Sequence, residues 1–77
     1  MPVVLRAYGL RFAIFVDDHP PAHVHVRGDG VAKIDVAGDQ PIVIFNRGLS
    51  RRDIRRALRV VKAERDVLLT AWSEIHG

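Results

Sequence analysis

Three histidines and two aspartates fall within the stretch Asp17-Asp18-His19-Pro20-Pro21-Ala22-His23-Val24-His25. His23 and His25 are two apart, so on an extended strand they share a face, with their backbone positions about 6–7 Å apart. A loop stiffened by Pro20 and Pro21 brings His19 or an aspartate back toward them. Imidazoles titrate near neutral pH, so one use of the group is acid/base catalysis on a phosphodiester, with His19, His23 and His25 as candidate catalytic residues. A second use is coordination of a divalent metal by neutral imidazoles and a carboxylate, for which His23, His25 and Asp18 are the candidates. No other cofactor is expected. The third reading is structural: strand histidines that tolerate exposure, and a His19 hydrogen-bonded in its turn. His-x-His alone does not choose among them.

A second group is cationic: Arg47, Arg51, Arg52, Arg55, Arg56, Arg59 and Lys62. Residues 50–62 carry six Lys/Arg and one Asp, whereas residues 1–49 balance five against five and residues 63–77 hold one Arg and three acids. A basic helix face is commonly just solvated. The first two turns of a helix, however, are the positive end of its dipole, where each cation is disfavoured by about 0.3–1 kcal/mol. Arginines gathered there break a local rule, which is where function is expected, and a bound anion resolves the conflict. The candidate contacts are Arg47, Arg51, Arg52, Arg55, Arg56 and Arg59, joined from the strands by Arg11, Arg27 and Lys33. RNA or another nucleic acid is one candidate anion, and an acidic protein partner is the other. Tyr8 and Phe15 fall on the same basic face as stacking platforms for bases. A second subunit covering Phe15 would instead make the chain a homodimer. Phe12, Phe45 and Trp72 read as core.

The elements that must position these groups follow from periodicity. Val3–Tyr8, Leu10–Val16, Ala22–Arg27, Val31–Val36 and Ile42–Phe45 read as four or five short strands separated by Gly9, Asp17–Pro21, Gly28-Asp29-Gly30 and Ala37–Pro41. Alternation places Leu10, Phe12, Ile14, Val16, Val24, Val26, Ala32, Ile34 and Val36 on a core face. Arg11, Ala13, Phe15, His23, His25, Arg27, Lys33 and Asp35 take the opposite face, expected to be wet and basic. From Ser50 the period turns helical, through Ile54, Ala57, Leu58, Val61, Leu68, Trp72 and Ile75. Ser50 caps, Asp53 stands three residues on, and Leu49 with Ile54 makes a hydrophobic staple. One rod would be about 38 Å long at 1.5 Å per residue; a break near Ala63–Asp66 is the alternative. The expected fold is α+β in a single domain, residues 1–77, with a β-meander over 1–46 and a helical segment over 50–76. The helical stripe Ile54, Leu58, Val61, Leu68 and Trp72 should face Phe12, Ile14, Val24 and Ile34.

Composition bounds the function classes. A chain of 77 residues suits one domain, and one that size buries only about 60% of the surface its unfolded form exposes. There is no cysteine, which excludes disulfides and thiolate metal sites and fits a reducing cytoplasm. Arg6 and Arg11 interrupt the apolar start before a signal-peptide core develops, and no run reaches membrane-span length, so no membrane association is expected.

The segments Asp18-His19-Pro20-Pro21-Ala22-His23-Val24-His25-Val26, Gly30-Val31-Ala32-Lys33-Ile34, Gly48-Leu49-Ser50 and Leu68-Leu69-Thr70-Ala71-Trp72, with His76-Gly77 closing the chain, resemble the small prokaryotic family called Domain of Unknown Function 4160. The resemblance covers essentially the whole chain. Its D-H-x-P-P-H-V-H-V core differs only at Ala22, which stands where the pattern has its second proline. The resemblance implies one half of a two-gene toxin–antitoxin module and a small operon-encoded antitoxin-like partner. It supplies no catalytic residues. Three functions then compete: a toxin-like ribonuclease, which uses both arginines and histidines; a non-catalytic module binding nucleic acid or an acidic partner, which uses only the arginines; and a small metal-binding protein, which uses only the histidines.

Overall fold

Short alternating runs broken by turn residues pair most cheaply with their nearest neighbours in sequence, and the first half of the chain does so. The computed structural model describes residues 3–77. Strands β1 (Val3–Ala7), β2 (Leu10–Ala13), β3 (His23–Arg27), β4 (Val31–Asp35) and β5 (Ile42–Arg47) form one antiparallel sheet in the order β1-β2-β3-β4-β5. Helices α1 (Arg51–Ala63) and α2 (Arg65–His76) follow, which makes the fold α+β. The β1–β2 turn has both central residues at positive φ, Tyr8 at 56° and Gly9 at 74°, the geometry whose twist matches that of a two-residue hairpin. Gly30 serves a different purpose: a Cβ there would collide with the Arg47 carbonyl and the Gly48 backbone.

One face of the sheet buries Leu10, Phe12, Ile14, Val24, Val26, Ala32, Ile34 and Val36. Against it lie Ala57, Val60 and Val61 of α1 and Leu68 of α2, flanked by half-buried Ile54, Leu58 and Trp72. The expected stripe of Ile54, Leu58, Val61, Leu68 and Trp72 belongs to this packing, which also takes in Val60. Ser50, in extended backbone, accepts the Asp53 N–H on its hydroxyl at 3.1 Å and starts α1. The helical segment breaks at Glu64, whose N–H caps α1 on the Val60 carbonyl at 2.8 Å. A single rod of about 38 Å would overshoot a molecule whose longest extent is 33 Å. After the break, the Arg65 guanidinium donates to the Ala37 and Gly38 carbonyls of the β4–β5 loop. Among the described residues no helix is long and apolar enough to cross a membrane.

Three sequence expectations need correction. Val16 is exposed rather than core, because β2 ends at Ala13 and the chain turns away, the Phe15 N–H bonding Asp18 Oδ2 and the Asp18 N–H bonding the Phe15 carbonyl. Phe45 is exposed rather than core. Val43 opposes Ile34 and Phe45 opposes Lys33, so the extra residue Ile44 bulges and turns Phe45 to the far face. That far face is not uniformly wet either: Ala13 and His23 on it are buried.

Candidate functional site

His23 opens β3 and His25 follows two residues on, both on the sheet face opposite the one that carries Val24 and Val26. The loop after β2 carries Asp18 back to them. Asp18 Oδ2 accepts the Phe15 N–H at 2.9 Å, which fixes the carboxylate, and both its oxygens accept from His25 Nε2 at 3.0 and 3.1 Å. His23 Nε2 stands 3.5 Å from Asp18 Oδ1. Its Nδ1 lies 2.9 Å from the Pro21 carbonyl oxygen, which can only accept, so in the neutral ring the His23 proton sits on Nδ1. His23 Nε2 is then a buried lone pair without a hydrogen-bond partner. Burial works to raise the Asp18 pKa, but the Phe15 N–H, the His25 bond and the charges of His25 and His23 outweigh it and leave the carboxyl below its ordinary 3.8.

Around this cluster the rings are packed. Phe15 lies against His25 with centroids 4.2 Å apart, and Trp72 lies 5.2 Å from His23. His76 stacks on Trp72 at 3.9 Å and donates through one ring nitrogen to the Phe15 or Trp72 carbonyl. The C-terminal end of α2 thus closes one side of the cluster. His25 keeps 20% of its side chain exposed against 8% for His23, so a molecule on the open face meets His25 first. Asp18, His23 and His25 each bring a ligand atom within 4.8 Å of the others, and they are the residues able to hold a metal. His19 is exposed and outside this group: of the two neighbours the loop could supply, it delivers the aspartate.

The arginines are organised by register. Arg6 opposes Arg11, Arg11 opposes Arg27, Arg27 opposes Val31, and Val31 opposes Arg47. They form a single row across all five strands, with directly opposed side chains about 4.5–5.5 Å apart at Cβ. All four arginines are exposed; Arg6, Arg11 and Arg27 oppose one another directly, an arrangement of like charges that is destabilising, while Arg47 is separated from Arg27 by Val31. The adjacent row is Ala13, His25, Lys33 and Phe45, with Lys33 Nζ 5.8 Å from the centre of the exposed Phe45 ring. His25 therefore stands one row from the arginines. Among the described residues, no lysine or arginine lies within 4.0 Å of a carboxylate. Asp35, the acid on this face beyond His25, is turned to the Ala37 N–H.

The other cationic candidates lie on the helix side of the sheet. Arg51, Arg52, Arg55 and Arg59 are exposed on α1, while Arg56 stacks over the Tyr8 ring at 5.0 Å and is half-buried. Linear sequence thus joins two groups that the sheet separates. It also gives no sign of Arg6, whose place in the row follows from the Tyr8-Gly9 hairpin, or of Trp72, whose approach to His23 leaves no local signal. Neither aromatic assigned to base stacking is a free platform on this face: Phe15 is engaged with His25, and Tyr8 sits in the turn beneath Arg56. Phe45 is the exposed aromatic there.

A five-stranded meander backed by two helices, with an Asp-His-His cluster at its margin, makes this a small α+β domain. The chain belongs to the DUF4160 family, a domain of unknown function, whose family model matches residues 9–73. Comparison with curated proteins and with solved structures finds no match.

Proposed function

We propose that this chain is the toxin-like component of a two-gene prokaryotic module, acting in the cytoplasm on RNA. The observation that carries the reading is the exposed arginine row across the sheet, one row from His25. Arginines opposed to one another without carboxylate partners suffer a repulsion that a polyanion removes. A backbone laid along Arg6, Arg11, Arg27 and Arg47 places a neighbouring phosphodiester beside Lys33 and His25, and Phe45 offers a ring for an unstacked base. The Asp18-His23-His25 cluster is the reaction centre, with His25 its reachable member.

The test is incubation of the purified chain with single-stranded RNA, together with expression of its gene in a bacterial host. Cleavage that His25→Ala abolishes while RNA binding persists supports the reading, as does growth arrest relieved by co-expression of the operon neighbour. Binding without cleavage supports the non-catalytic alternative, in which the same face binds RNA and the histidines are structural. Absence of salt-sensitive RNA binding overturns both.

A further inference from the structure

The buried lone pair of His23 is the least explained atom in the molecule. The residue is only 6% accessible, and its Nδ1 is committed to the Pro21 carbonyl. Were Nε2 protonated as well, it would face Asp18 Oδ1 at 3.5 Å, well beyond the roughly 2.7–2.9 Å of a charge-assisted bond. In the neutral ring the atom is thus a buried electron-pair donor facing a carboxylate oxygen at 3.5 Å.

We propose that Asp18, His23 and His25 bind a divalent transition-metal ion, for which zinc is the best match. Two imidazoles and one carboxylate suit an ion of borderline softness, and their ligand atoms, within 4.8 Å of one another, can converge on one ion at zinc bond lengths of about 2.0–2.2 Å. The outer contacts are those that orient metal ligands: an imidazole N–H fixed on a backbone carbonyl, and a carboxylate fixed by a backbone N–H. His25 Nε2, which lies 3.0 Å from Asp18 Oδ1, becomes the third donor when its proton is carried on Nδ1 of the same ring. Three protein ligands leave a position open, the arrangement of catalytic rather than structural zinc. That position lies on the side where His25 is accessible, next to Lys33. The site deepens the RNA reading by putting a Lewis acid beside the bound backbone, but metal binding itself does not depend on RNA.

Protein stripped with a chelator and dialysed is titrated with zinc chloride by calorimetry, and with cobalt(II) by its visible absorption. The expected result is saturable 1:1 binding, a raised melting temperature, and a cobalt spectrum showing nitrogen ligation. Asp18→Asn and His25→Ala should each weaken zinc binding more than about tenfold while retaining the far-ultraviolet circular dichroism of the wild type; Asp29→Asn, in the exposed β3–β4 turn, should bind as wild type. Because His23→Ala risks the fold, the imidazole signals of His23 are followed by NMR in the wild type, where zinc should shift its Nε2 resonance. No saturable binding, or binding indifferent to Asp18→Asn and His25→Ala, overturns the proposal. RNA binding measured in chelator separates the two readings: RNA bound without any zinc site removes the metal alone, and zinc bound without RNA affinity removes the RNA reading alone.

Discussion

His23 and His25 differ by two positions in sequence and by much more in environment. Both lie on one sheet face, yet His23 is covered by Trp72 and His25 is open to solvent on one side. Their spacing makes the shared face legible, and the Pro-rich loop makes a returning aspartate legible as an option. The burial of His23 is not legible, because it depends on where α2 ends up after the break at Glu64. The carboxylate between them gives a pH prediction. Asp18 has its pKa depressed in the folded state, so its contribution to stability is complete above the unfolded value and is lost as pH falls through the folded one. In protein stripped of metal, Asp18→Asn should cost about 1.5–3 kcal/mol at pH 7, the range for a hydrogen bond to a charged group. As pH falls from the ordinary carboxyl value through the lower folded one, the gap between the two proteins should narrow, because the wild type then loses what the variant never had. Urea midpoints at pH 7 and near pH 3 check this, and a constant gap between the curves would show that Asp18 is not linked to folding.

Among the elements, strands are legible where two signals agree and misread where one local feature overrides alternation. β3 and β4 belong to the first kind because turn glycines and strict alternation coincide at Gly28-Asp29-Gly30. β5 belongs to the second, since a bulge at Ile44 is a decision made between two strands rather than within either. The same junction holds the tightest backbone approach in the fold. Gly30→Ala should destabilise by about 1–3 kcal/mol, because its Cβ meets the Arg47 carbonyl and the Gly48 backbone, neither of which has rotamers to yield. Gly38→Ala is the control, having only the Gln40 carbonyl at 4.0 Å, and should stay within about 0.5 kcal/mol of wild type. At the helix start, Ser50→Ala should cost about 1 kcal/mol through loss of the bond to the Asp53 N–H. Thermal unfolding of the three variants ranks them; a harmless Gly30→Ala would mean that β4 and β5 separate more freely than their register implies.

For the molecule as a whole, the sheet divides its cations into two surfaces that the linear sequence merges. Arg6, Arg11, Arg27 and Arg47 line the open face, while Arg51, Arg52, Arg55 and Arg59 stand on the helix side. Charge counting along the chain finds only the second group, because residues 1–49 sum to zero and their arginines gather only after the strands pair. A nucleic-acid strand following the open face releases counterions from the first group and not from the second. Every phosphate of a single-stranded RNA that is no longer neutralised lowers the slope of log affinity against log salt by roughly 0.7. Arg6→Gln/Arg11→Gln/Arg27→Gln should therefore flatten that slope by up to about 2, with stability unchanged or raised as the opposed charges are relieved. Arg51→Gln/Arg52→Gln/Arg55→Gln should leave the RNA slope in place, and stability should not fall, since cations at a helix N-terminus are disfavoured. Its effect should appear instead as weaker association with an acidic operon partner. Fluorescence anisotropy of labelled RNA across a salt series compares the two triple variants directly. If the helix variant flattens the slope and the sheet variant does not, RNA lies against α1, and the arginine row must be explained by something other than the backbone of a nucleic acid.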